Sequence, residues 1–118
     1  MIYVGTSRGL IAIFDFNQNL KLILMSAATG LEHGAVTCLD LHISNERLVC
    51  GHQRGFIVFW DLVKGKPIKI INADRNAKET AIAFVQFLDS ENEVVAVDDK
   101  VPFRFCFRPE ANFGTILN

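Results

Sequence analysis

The sequence lacks the charge imbalance that would draw it to nucleic acid or to an anionic lipid surface. Its 12 Lys and Arg stand against 13 Asp and Glu, a formal net charge of −1, so no bulk electrostatic attraction to polyanions is expected. The charges are scattered, without a basic stripe, which disfavours a nucleic-acid groove. There is no long apolar run either. The longest uncharged stretch, Leu22 to Leu31, contains Ser26, Thr29 and Gly30 and falls far short of the roughly 20 apolar residues that a spanning helix needs. The opening "MIYVGTSRG" has no basic n-region and enters a strand-like pattern at once, so no signal peptide is expected. Cysteine is scarce and odd in number: Cys38, Cys50 and Cys106 each lie inside an apolar run. Such thiols serve as small core residues in a reducing compartment. No CxxC or HxxxH spacing occurs, so neither a zinc site nor any other cofactor is expected. These absences predict a soluble, cytosolic chain.

Helical periodicity is also scarce. In its place stand short β-branched or aromatic runs separated by "TSRG", "NQN", "ISNE", "HQRG", "VKG" and "DSEN", residues suited to tight turns. Half of the residues are apolar, enough core-formers to exclude a disordered chain. The pattern predicts an all-β protein with strands near 2–5, 10–16, 20–25, 36–42, 47–51, 56–62, 67–71, 81–87, 93–97 and 103–107.

Two segments repeat with one period. Setting "VGTSRGLIAIFDF" (4–16) above "CGHQRGFIVFWDL" (50–62) brings Gly5 onto Gly51, Arg8 onto Arg54, Gly9 onto Gly55, Phe14 onto Trp60 and Asp15 onto Asp61. Setting "AVTCLDLHISNERLVCG" (35–51) above "AIAFVQFLDSENEVVAV" (81–97) brings Val36 onto Ile82, Leu39 onto Val85 and Leu41 onto Phe87. Every pair stands 46 positions apart, without a gap (Gly5 to Gly51, Val36 to Ile82). A period of about 40–45 residues with four short strands is the mark of a WD-type propeller blade. Stacked blades bury both faces of each sheet, so "FIVFW" reads as a continuous apolar run.

Residues 31–72 resemble a WD repeat: Glu32-His33 where such repeats carry Gly-His, "AVTCLDL" as the first strand, then "RLVCGHQRGFIVFWD" ending in Trp60-Asp61. Members of that family place an Asp six residues before the Trp, bonded towards the His; here Arg54 stands there, and Arg8 in the preceding unit. The usual His–Ser/Thr–Asp–Trp network is therefore absent in its common form. The ordered set of Gly-Thr-Ser-Arg-Gly-Leu, Phe14-Asp15 with "NQN", Gly34-Ala35-Val36, "RLVCG", Gly55 with "FWDL" and Gly65-Lys66 resembles the N-terminal propeller of the vacuolar protein sorting-associated protein 8 family. The resemblance covers roughly 2–97 and fades after Asp98. It implies a subunit of the endosomal tethering complex CORVET, with other tethering subunits and a Rab GTPase as protein partners. It also implies a cytoplasmic protein, held at the endosome, vacuole or lysosome membrane through those partners.

Several residues invite a chemical role, and each has a plainer reading. His33 as a catalytic base gives way to a histidine hydrogen-bonded within its blade. His42 and His52, near Cys38 and Cys50, lack a fourth ligand at workable spacing and read as turn and core residues. Asp40, His42 and Ser44 spell a hydrolase triad, but alternate residues of one strand seldom assemble that way. Adjacent Asp98 and Asp99 point to opposite faces of a strand. Gly5, Gly9, Gly51 and Gly55 form no phosphate loop, since no Lys-Ser/Thr opening a helix follows them. Gly9 and Gly55 are expected to supply positive φ in tight hairpins. Trp60 and its counterpart Phe14 are expected to pack between blades. Arg8 and Arg54, repeated on one rim, are solvated turn residues or contacts for an acidic partner.

The expectation is a partial propeller of about two and a half four-stranded blades. It comprises a blade remnant at 1–30, a complete blade at 31–72, an incomplete blade at 73–107 and a divergent tail at 108–118. Pro102 removes a ladder donor and Pro109 ends the apolar run, so the tail after about Asp99 is read as the end of an incomplete chain rather than a divergent third-blade strand. A run of blades that does not close exposes an apolar face, and the chain is expected to be part of something longer. The function expected is a non-enzymatic interaction module; a WD-repeat adaptor in another assembly, such as a ubiquitin ligase, is the alternative.

Overall fold

The computed structural model describes residues 1–25, 32–72, 80–89, 93–98, 104–107 and 114–117. Among these residues every regular element is a strand. The first sheet pairs β1 (Ile2–Gly5), β2 (Ile11–Phe14) and β3 (Leu20–Leu24) in that order. The second pairs β4 (Val36–Leu41), β5 (Arg47–His52), β6 (Phe56–Asp61) and β7 (Lys66–Asn72). The third pairs β8 (Ile82–Phe87), β9 (Val94–Asp98), β10 (Arg104–Phe107) and β11 (Gly114–Leu117). All neighbours are antiparallel and consecutive in sequence, the meander of a propeller blade.

β11 falls in the segment read from the sequence as a tail, so the third unit runs past 107. Its signal was the period itself. Residues 114–117 stand 46 positions after Ile68–Ile71 of β7, a relation hidden by the prolines at 102 and 109.

The continuous apolar runs resolve into two faces. Along β5 and β6, Leu48, Cys50, Val58 and Trp60 pack with Ile11, Ile13 and Leu24 of the first sheet. The intervening Val49, Ile57 and Phe59 pack with Ile82, Val85, Phe87, Val94 and Ala96 of the third. Successive side chains of a strand point to opposite faces, so a sheet held between two others is apolar at every position. Each Val, Leu, Ile or Phe among them contributes about 1.5–3 kcal/mol by leaving water.

The repeat also has a mechanical meaning. A Cβ on Gly5 would lie 2.6 Å from Val36 Cγ1, and one on Gly51 would lie 2.6 Å from Ile82 Cγ2. In each case a glycine in one sheet admits the first β-branched residue of the next sheet's inner strand, and both halves of the contact recur after 46 residues. Hydrogen bonds reinforce the stacking. Val36 N–H donates to the Thr6 carbonyl at 3.0 Å. Thr37 Oγ1 donates to the Ile82 carbonyl, and Asp40 Oδ2 accepts from Phe87 N–H at 2.8 Å.

The first sheet carries an unmatched face. Ile2, Val4, Ala12 and Phe14 stand 46 positions before Leu48, Cys50, Val58 and Trp60, the residues that bury the second sheet against the first. Ile2 and Val4 are 44% and 42% exposed, and Ile23, paired with Ala12, is 42% exposed. This is the surface of a blade interface without its neighbour.

Candidate functional site

The turn between β5 and β6 sits over a buried polar cluster. Gly55 N–H donates to the His52 carbonyl at 3.1 Å with Gly55 at φ 88°, closing the hairpin. The turn between β1 and β2 repeats this: Gly9 N–H donates to the Thr6 carbonyl at 3.2 Å, with φ 80°. L side chains rarely adopt such φ values, which is why both units carry glycine there.

Arg54 N–H donates to the His33 carbonyl at 3.1 Å, and Gln53 N–H to the Ala35 carbonyl at 2.8 Å. The backbone thus ties the turn to the segment entering β4, where a WD repeat would use an Asp side chain. Gly34 adopts φ 79°, and its position lies tight against Arg54 Cγ and Gln53 Cβ. Arg8 and Arg54 are exposed at equivalent turns of successive sheets.

Beneath the turn, His33 and His52 are each 1% exposed. Their rings meet edge to face at 5.2 Å, and His33 also lies against Phe56 at 4.3 Å. The expected side-chain hydrogen bond of His33 is not seen at Nδ1, which has no partner among the described residues. It is His52 that makes one: Nδ1 bonds the Gly34 carbonyl at 3.0 Å, and Nε2 lies 3.3 Å from Cys50 Sγ. Burial pushes both histidines below their usual value, and for His52 the nearby His33 adds to that while the Gly34 carbonyl opposes it. Burial drives the Cys50 thiol up to about 12. Burial likewise raises the Cys38 thiol. These thiols stay protonated near neutral pH, which makes them poor nucleophiles and poor metal ligands.

Asp15 and Asp61 share one role. Asp15 Oδ1 accepts the N–H groups of Asn17 and Asn19 at 2.9 and 3.0 Å; Asp61 Oδ1 accepts those of Val63 and Lys64 at 2.9 and 3.1 Å. Each carboxylate also faces one cation, Lys21 at 3.4 Å and Arg47 at 3.5 Å. The N–H of Asn19 foremost holds Asp15 below its usual value, and that of Lys64 does the same for Asp61. The Asp of the Trp-Asp pair is a turn cap, as is its counterpart in the first sheet. Trp60 itself is 2% exposed against the first sheet.

The other candidates do not converge. His42 Nδ1 bonds Ser44 Oγ at 3.0 Å and accepts Ser44 N–H at 3.2 Å, while Asp40 turns to Phe87 on the third sheet. Asp99 lies outside the described residues. Among the described residues no three of His, Cys, Asp and Glu gather as a metal site. No helix there is long and apolar enough to cross a membrane. The sequence reading placed His52 as a turn and core residue without its partner and gave Thr37 and Asp40 no structural role, because the partners of those two lie on another sheet and no local pattern announces them.

A family model described as Vps8 beta-propeller matches residues 1–113. The chain is 40% identical over 98 residues to the vacuolar protein sorting-associated protein 8 homolog of Mus musculus, covering 83% of this chain and 7% of that protein. To the Homo sapiens homolog it is 39% identical over 100 residues, with the same two shares of 83% and 7%. The chain therefore spans a small part of these relatives. The crystal structure of the Myceliophteria thermophila Cps50 (Swd1) beta-propeller domain matches with a TM-score of 0.77 at 14% identity, over 97% of this chain and 33% of that one. That likeness speaks for the fold, and it places these three sheets as about a third of a propeller of that size. With meander, period and family model in agreement over nearly its whole length, this chain belongs to the Vps8 beta-propeller family.

Proposed function

We propose that the chain is a non-enzymatic protein-interaction module of a membrane-tethering subunit, acting in vesicle traffic and fusion at the endosome, vacuole or lysosome. The observation that carries this reading is the match to the Vps8 propeller over residues 1–113. Among the described residues His52, Asp61 and Asp40 bond backbone groups of turns and of the neighbouring sheet, which are structural roles. The partners are other subunits of a CORVET-type tethering complex and a Rab GTPase, and membrane attachment is peripheral, through them. Arg8 and Arg54 form a rim from which an acidic partner surface is held, since exposed Arg at equivalent turns presents forked donors in a repeated array.

Affinity purification of the full-length protein from its own cells tests the reading. Recovery of tethering subunits and a Rab GTPase is expected; their consistent absence would overturn the trafficking role and leave the propeller standing. Recovery with a ubiquitin-ligase scaffold instead would favour the adaptor alternative.

A further inference from the structure

We propose that the inner edge of the first sheet is a strand-acceptor site, filled in the full-length protein by an extended segment of the same polypeptide from outside these residues. The second and third sheets each begin with an inner strand, β4 and β8, whereas among the described residues the first begins at β1. Residues 2–5 of β1 stand 46 positions before 48–51 of β5, and β5 pairs with β4 on that side. The backbone of β1 is set for the same kind of neighbour. Thr6 N–H bonds the Leu10 carbonyl, and hydrogen-bonded pairs alternate along an antiparallel ladder. Ile2 and Val4 therefore bond β2, while Tyr3 and Gly5 direct their N–H and C=O groups away from it. Their counterparts Val49 and Gly51 direct theirs to Asp40 and Cys38 of β4. An edge of this kind takes an added strand through main-chain hydrogen bonds.

The side chains of β4 point to the same place. Ile82, Val85 and Phe87 of β8 are 1%, 4% and 7% exposed, whereas their counterparts Val36, Leu39 and Leu41 of β4 are only half-buried. β8 is covered by the inner strand of the sheet before it: Thr37 Oγ1 donates to the Ile82 carbonyl, and Asp40 Oδ2 accepts from Phe87 N–H. β4 follows a sheet without that strand. Leu41 N–H is directed as Phe87 N–H is. His42 N–H bonds the Arg47 carbonyl and Leu88 N–H the Glu93 carbonyl, so Leu41 and Phe87 both fall at non-hydrogen-bonded pairs of their sheets. The repeat then states the chemistry of the segment. β4 reads Val-Thr-Cys-Leu-Asp-Leu and β8 reads Ile-Ala-Phe-Val-Gln-Phe. The segment accordingly opens on a β-branched residue and is apolar at its third, fourth and sixth places. Its fifth place carries a carboxylate or carboxamide that accepts from Leu41 N–H. Two observations put it in the same polypeptide. β4 and β8 both belong to the chain whose sheets they complete, and tethering gives a strand an effective concentration that a separate peptide lacks. The curated relatives also extend far beyond the matched residues, which cover 7% of them. This goes beyond the proposed function and holds for whatever assembly contains the blade.

The test uses the full-length protein purified from its own cells, with amide exchange followed by fragmentation mass spectrometry. Tyr3 and Gly5 are expected to exchange within about tenfold of Val49 and Gly51, as amides of one type of ladder do. Faster exchange than that, as at an open edge, would overturn the proposal. Photo-leucine in place of Leu41 then identifies the occupant. Photo-leucine in place of Leu48 is the control, since Leu48 packs against the first sheet and must crosslink to it. The expected product at Leu41 is a crosslink within one polypeptide, to a segment outside these residues with Asp, Asn, Glu or Gln at its fifth place. A crosslink to a second polypeptide or only within residues 1–118, or none while the control reacts, would overturn the proposal. An apolar or basic residue at the fifth place would overturn the chemistry assigned to the segment. None of these results bears on which complex the full-length protein joins, so their failure leaves the trafficking reading as it stands.

Discussion

Gly51 shows how one absent methyl group fixes the distance between two sheets. A Cβ there would press on Ile82 Cγ2 at 2.6 Å and Cys38 Sγ at 2.7 Å, both short of any ordinary contact. Gly51→Ala is therefore expected to destabilise the chain by about 1–3 kcal/mol, the usual range for overpacking. Ile82→Ala in the same chain should recover part of that loss, because it opens the space the new methyl needs. Denaturant titration of the two single variants and the double variant checks this; strictly additive losses would mean that the two positions do not touch.

The histidine pair gives a second prediction at this scale. Both are held below 6.5 by burial, so the native state prefers them neutral. The unfolded chain then binds more protons than the native chain as pH falls below about 6.5, and stability must fall with it while remaining complete above that pH. Urea midpoints at pH 7.5 and 5.5 are expected to differ, and His52→Gln should reduce the difference. Equal midpoints in the wild-type chain would contradict the burial of the pair.

At the scale of elements, the inner strand β4 acts as a strap. It donates from Thr37 to Ile82, accepts at Asp40 from Phe87, and takes the Thr6 carbonyl through Val36 N–H. Losing a side-chain acceptor here leaves a backbone N–H of β8 without its partner, at a cost of about 1–3 kcal/mol. Asp40→Ala should therefore loosen the third sheet more than the first, which residue-resolved hydrogen exchange would show as faster exchange in β8 and β9 than in β2. Uniform acceleration across all sheets would contradict the strap. The strands, their order and the blade period were legible in the sequence, because alternation and repetition are properties of one continuous chain. Phe14 echoing Trp60, and Asp15 echoing Asp61, could be read by eye. The strap could not: Asp40 and Phe87 are 47 positions apart, and either residue alone is ordinary. His33 drew the attention due to His52, because the expected motif names the first histidine, while Arg54 had already displaced the partner that makes it useful. β11 was hidden for the opposite reason, since local prolines outweighed a period that reaches it.

For the molecule as a whole, these sheets are consecutive blades of a partial propeller, and one blade face stands without the neighbour that the repeat assigns to it. Units of a stacked array stabilise one another mainly through their shared faces. The open face formed by Ile2, Val4, Phe14 and Ile23 is the counterpart of the face that Leu48, Cys50, Val58 and Trp60 bury. Left uncovered, it should drive association, and charged residues there should suppress it while leaving the two internal interfaces intact. Sedimentation velocity on the isolated chain across a hundredfold range of concentration, beside Val4→Glu/Phe14→Glu, tests this most directly. The account predicts that the wild-type chain associates as concentration rises and that the variant stays monomeric. A wild-type chain that remains monomeric throughout and melts in one sharp cooperative transition would contradict it.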